Sequence, residues 1–184
     1  MSSPTKSPPP AFGFLTVVEQ TEWGLVGGYL VVNAGGRPFE FHCTAPVKAN
    51  RAQEILYGPT LKPYLCGEQI GQALLSKAKV EPLLVFTDLS DVFPLREFIS
   101  VPVVLVDVHD TNLEANRKSD LDSATLHTFK LEKLRVAIEN RFSSDQPTVL
   151  DRWQSSGQTL DVTEPFGRIR TALEEAQKSA RAAA

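Results

Sequence analysis

The chain has little of what the commonest catalytic and metal sites are built from. Its 184 residues hold two cysteines, three histidines and one methionine. Cys43 and Cys66 are too few for a disulfide framework, and their spacing fits no zinc ribbon or finger. Nothing in the spacing joins them to His109 or His127 as a dispersed metal or redox site, so both read as free thiols in a reducing compartment. No apolar run approaches the ~20 residues of a membrane span. The opening MSSPTKSPPP lacks the apolar core of a secretory signal. A soluble chain in the cytoplasm, away from membranes, is the expectation. Nor is there an excess of positive charge. The 19 Lys and Arg are spread among 22 acids, for a net charge of −3, and nucleic acid is not expected as a partner. Phosphate-binding glycine loops, serine nucleophile elbows, His-Glu zinc motifs, EF-hand loops and kinase elements are all missing.

What is present is an ordinary globular composition, 42% hydrophobic and 22% charged, in a length that one core can organise. Residues 1–11 gather Pro4, Pro8, Pro9 and Pro10 among serines and read as a disordered tail. Residues 12–180 read as a single domain, and 181–184 as a frayed alanine end. The fold class expected is α/β or α+β. It has a mixed sheet of about five strands, an antiparallel N-terminal hairpin and two buried strands, under roughly three or four helices.

The instructions are densest between Gly27 and Tyr57. The run FGFLTVVEQ precedes it as a first strand, and Gly28–Asn33 forms a second. Asn33-Ala34-Gly35-Gly36 supplies a hairpin turn, after which Pro38 can open the returning strand. That strand alternates, with Phe39, Phe41 and Cys43 on one face and Glu40, His42 and Thr44 on the other. The first set reads as a core face, with Cys43 a small buried hydrophobe. Asn50, with Gln53 three positions on, predicts a capped helix that Gly58-Pro59 stops. A further helix is expected around Ile70, Leu74 and Leu75.

Two continuous apolar runs, 83–88 and 103–108, read as strands buried on both faces. The stretch between them just reaches the length a parallel crossover needs, although an antiparallel return is also open. Residues 111–123 are polar and read as an exposed loop, and 125–131 are ambiguous between strand and helix. Leu131, Leu134, Ile138 and Phe142 lie at helical spacing and predict a helix to about residue 143, followed by loop to Gly157. Thr163 predicts the cap of a last helix with Phe166, Ile169, Leu173 and Ala176 on its apolar stripe.

Three groupings could carry function. Glu40 and His42 share a strand face, where a carboxylate can orient an imidazole for proton transfer. His42 and Cys43 are neighbours but point to opposite faces, which argues against a nucleophile pair. Asn50 and Arg51 open a helix, where backbone amides and a cation could receive an anion. Asp88 closes one buried run, and Asp107 and His109 close the other. If those strands are parallel, the three meet at one sheet edge and could hold a divalent metal.

With no complete catalytic constellation, the expected role is a non-catalytic, protein-binding scaffold module. It would need no cofactor and could self-associate through the hairpin edge as a homodimer. The alternative is a metal-dependent hydrolase or phosphotransferase built on Asp88, Asp107 and His109.

Overall fold

A computed structural model describes residues 9–20, 22–107 and 124–182. Seven strands form one mixed sheet: β1 (Ala11–Gln20), β2 (Gly24–Asn33), β3 (Pro38–Cys43), β4 (Leu84–Thr87), β5 (Val103–Val106), β6 (Leu126–Leu131) and β7 (Leu134–Glu139). Their order is β3-β2-β1-β4-β5-β7-β6. The first three make an antiparallel meander, β4 and β5 add in parallel beside β1, and β7 and β6 return antiparallel. The two buried apolar runs are therefore parallel neighbours, and every residue of β4 and β5 is buried.

Helices cover both faces. On one side lies α2, a continuous helix of α turn Leu61–Pro63, π-helical Tyr64–Gly71 and α turn Gln72–Leu75, with the 3₁₀ segment Ser90–Glu97 beside it. On the other side lie α3 (Gln146–Ser156) and α4 (Glu164–Ala182). α1 (Arg51–Tyr57) stands apart and buries none of its residues. Strand alternation splits the apolar side chains into two cores. Leu15, Tyr29, Val85 and Val103 pack with Cys66, Ile70 and Leu74 of α2. Phe12, Phe14, Phe86 and Val104 pack with Trp153 of α3 and Phe166 of α4. Aromatic rings of this second core meet both stacked, Phe14 against Phe86 at 5.3 Å, and edge-on, Phe14 against Phe166 at 5.5 Å and Phe86 against Trp153 at 6.0 Å.

The helices approach closely because Gly27 and Gly28 of β2 carry no side chain. A Cβ at Gly27 would stand 2.1 Å from Cγ2 of Ile70, and one at Gly28 would stand 2.4 Å from Cγ2 of Ile169 on the opposite face. β2 thus begins four residues before the expected strand, and Gly27 and Gly28 lie inside the ladder. β1 begins at Ala11, which is 2% exposed and belongs to the sheet rather than to the tail. α4 runs to Ala182, and residues 1–8 and 183–184 lie outside the described part.

Three expectations are corrected. The sheet has seven strands rather than about five, because 126–131, ambiguous in the sequence, and 134–139, where a helix was expected, form a hairpin. Leu134 and Ile138 fit a helical spacing, but with Val136 between them they also satisfy a period of two, and β-branched residues favour the strand. The turn between them is Glu132-Lys133, with Glu132 at φ 54°, a conformation its residue type does not announce. The segment expected as loop after 143 contains α3, whose Pro147 sits in the first turn and whose Val149 and Trp153 face the core one turn apart. The last helix is held at its start by Asp161 rather than by the Thr163 side chain. Asp161 Oδ1 accepts the backbone N–H of Thr163 at 2.9 Å and of Glu164 at 3.2 Å, and Thr163 donates its own hydroxyl to the same oxygen. Those bonds, the Thr163 backbone one foremost, hold the Asp161 carboxyl below its usual range. The expected loop at 111–123 lies outside the described residues. Among the described residues, no helix is long and apolar enough to cross a membrane.

Candidate functional site

β3 is an edge strand, paired on one side to β2 and open on the other. Its backbone orientation follows from one bond: Thr44 gives its N–H to the Gly27 carbonyl at 3.0 Å. Alternate residues share an orientation, so His42 and Glu40 also turn their backbone groups to β2, while Cys43 and Phe41 turn theirs outward. The register slips near the strand's start, where Val31 pairs with Glu40 but Val32 with Pro38, leaving Phe39 as the extra residue of a bulge. Asn33 closes the hairpin by accepting the N–H groups of Gly35 and Arg37, each at 2.9 Å.

From Glu40 to Cys43 the side chains of β3 divide as the alternation predicts, but not with the burial expected of the apolar set. Phe41 stands beside Leu30 on the α4 face, yet Phe41 is 38% exposed and Phe39 39%. Cys43 is exposed as well, which corrects its expected place as a buried hydrophobe. The helix on that face covers β1 and β2 and leaves the last strand bare. Between the end of β3 and the final turns of α4 runs an apolar groove of about 540 Å³, lined by Trp23, Val26, Cys43, Pro46, Leu173 and Ala176. Trp23 is itself 47% exposed.

On the other face Glu40 and His42 do meet, with Glu40 Oε2 2.9 Å from His42 Nε2. The carboxylate is occupied further: it accepts the backbone N–H of Val80 at 2.7 Å and of Lys79 at 3.0 Å. Burial pushes the Glu40 carboxyl up, but His42 and the two amides together outweigh it and hold the group below its usual range. The pair is thus a staple that ties β3 to the segment leading from α2 into β4. Its proton-accepting positions are already in use.

Asn50 and Arg51 are also accounted for locally. Asn50 Oδ1 accepts the Gln53 N–H at 2.8 Å and Gln53 Oε1 accepts the Asn50 N–H at 3.0 Å, a complete capping box. Arg51 pairs with Glu54 at 3.0 Å on the surface. Neither residue lines the groove beside β3.

The parallel pairing of β4 and β5 brings their carboxyl ends to one sheet edge, as the metal reading requires. Asp88 there forms an ion pair with Arg170 of α4, and its side chain is almost wholly enclosed. Asp107 follows β5 and is partly buried, while His109 lies outside the described residues. Among the described residues, no three His, Cys, Asp or Glu side chains group so as to hold a metal ion.

What the alternation pattern alone missed is exposure. Phe39, Phe41, Trp23 and, on α1, Leu56 at 81% exposed give no sequence signal separating them from core residues. Only the position of β3 in the strand order, which is a tertiary fact, reveals it. No known protein family matches the chain, and none of the curated proteins does.

Proposed function

We propose that the chain is a non-catalytic interaction module of the cytoplasm that docks another polypeptide along the open edge of β3. One observation carries this reading: outward-turned backbone groups at Phe41 and Cys43 coincide with partly exposed phenylalanines and an apolar groove alongside. An added strand would satisfy the backbone groups while its alternate side chains fill the groove. Edge strands are commonly blunted by lysine or by charge, and β3 has neither on the face that Phe41 shares with Cys43. A reducing compartment suits the exposed Cys43 thiol. The alternative, a metal-dependent hydrolase or phosphotransferase, has the shared edge of β4 and β5 in its favour, but the charge of Asp88 is already matched by Arg170.

The test is a photo-crosslinking residue placed at position 39 in the source cell. Defined adducts that disappear in Phe41→Lys support docking at this edge. Adducts indifferent to Phe41→Lys, or none at all, would remove the reading.

A further inference from the structure

On the α2 face, the segments that lead into β4 and β5 wall a second cavity, of about 470 Å³. It is lined by Gln72 of α2, Val80 and Pro82 before β4, and Phe98 and Val101 before β5. Of its lining, only Tyr29 comes from a strand. The tyrosine springs from β2 and crosses β1 above Gly13, which pairs with Val85 near the start of β4. Bare backbone at Gly13 is what gives the ring this path to the cavity. Tyr29 is fully buried, and its hydroxyl has no hydrogen-bond partner among the described residues. Buried polar groups are almost always paired, and a phenylalanine would fill the same space without the unmet bond. A cavity and an unmet donor thus coincide.

We propose that this cavity binds a small neutral amide with an aromatic or other apolar body, its carbonyl accepting the Tyr29 hydroxyl. The site goes beyond the docking reading and does not involve the open side of β3. Its volume falls within the ~300–1,000 Å³ of small-molecule sites. Burial foremost, and then the charge of Glu40, push the Tyr29 hydroxyl up, so it stays protonated and acts as a donor. The same charge disfavours an anion at that point. Lys79 and Glu81 at the exposed margin carry opposite charges, so the margin does not select an ion of either sign. Gln72 and Ser100 line the same cavity, and their side-chain oxygens can accept the N–H groups of an amide. Phe98, 50% exposed, gives an apolar body a ring to lie against. The wall before β4 is held in advance, because Glu40 already binds the Lys79 and Val80 amides.

Titration of benzamide into the full chain, followed through backbone amide NMR shifts, tests this. The shifts should centre on Tyr29, Val80 and Val101 and saturate in the millimolar range expected of so small a ligand. Tyr29→Phe should weaken benzamide about 10-fold, with a melt equal to or above that of the wild type. Toluene, which keeps the ring but has no acceptor, should lose nothing on the same substitution. Benzoate, which adds a charge, should bind more weakly than benzamide. The proposal is overturned by an absence of saturable shifts, or by shifts confined to the groove between Trp23 and Cys43. It is overturned equally if Tyr29→Phe leaves benzamide affinity unchanged, or if benzoate is the tighter ligand. A Tyr29→Phe melt far below that of the wild type would also sink it, since the hydroxyl would then be paired within the protein. None of these outcomes bears on docking at β3, which is read from adducts at position 39.

Discussion

Tyr29 lies across Gly13 so closely that a Cβ at position 13 would stand 2.4 Å from the tyrosine hydroxyl and 2.7 Å from Cε2 of the ring. β1 and β2 are neighbours, with Leu15 opposite Tyr29 and Gly13 opposite Val31, so the ring reaches diagonally over the bare backbone. The ring is fully buried, and its hydroxyl finds no hydrogen-bond partner among the described residues. Gly13→Ala is expected to cost about 1–3 kcal/mol in urea unfolding, as overpacking of a tight core does. Tyr29→Phe should be neutral or stabilising by about 1 kcal/mol, since it deletes an unpaired buried hydroxyl. It should also soften the Gly13→Ala cost when the two are combined. A Tyr29→Phe chain much less stable than the wild type would mean that the hydroxyl has a partner.

The Glu40 staple makes an acid-limb prediction. Its carboxyl is held below the usual range, so the unfolded chain takes up the proton first as pH falls. The staple's contribution is complete above the unfolded value of ~4.3 and is lost as pH drops through the lower folded one. Glu40→Gln keeps the shape but loses the charge that the Val80 and Lys79 amides and His42 face. It should cost about 1–3 kcal/mol at neutral pH. The difference from wild type should shrink in melts run below the unfolded carboxylate value. A constant difference across that window would count against the staple.

Cys66 makes the opposite, alkaline prediction. Burial foremost, and then the charge of Asp91, push its thiol up to about 12. The unfolded chain loses this proton near pH ~8.5 while the folded chain keeps it, so stability falls as pH rises, by about 1.4 kcal/mol per unit. That decline should begin above the unfolded value and be absent in Cys66→Val up to pH ~10, above which the buried Tyr29 hydroxyl, also pushed up, adds a decline of its own in both chains. A thiol reagent supplies the companion measurement. It should react with one cysteine, the exposed Cys43, in the native chain and with both in denaturant. Rapid native reaction at Cys66 would show that the core over α2 opens readily.

Much of the architecture is legible in the residues. The hairpin turn at Asn33, the Asn50 capping box and the two doubly buried strands each rest on a local signal that no tertiary contact overrides. The β6–β7 hairpin is illegible for a definite reason. Leu131, Leu134 and Ile138 fit a helix, and the turn at Glu132-Lys133 contains no glycine, asparagine or proline to mark it. α3 hides because two core residues, Val149 and Trp153, make too short a stripe to stand out. Glu40 and His42 are a readable pair, since two residues apart on one strand puts them side by side. That amides of Lys79 and Val80 would occupy the carboxylate depends on a contact some 40 residues away in the chain.

The two ends of the sheet are unlike. β3 presents phenylalanines, whereas β6 presents an exposed Lys130 and has His127 engaged with Gln146 at 2.6 Å. A strand added along β3 would leave only the lysine-bearing border of the sheet outermost. The difference between the borders would then act as a stop signal, one that separates a finite assembly from open-ended sheet growth.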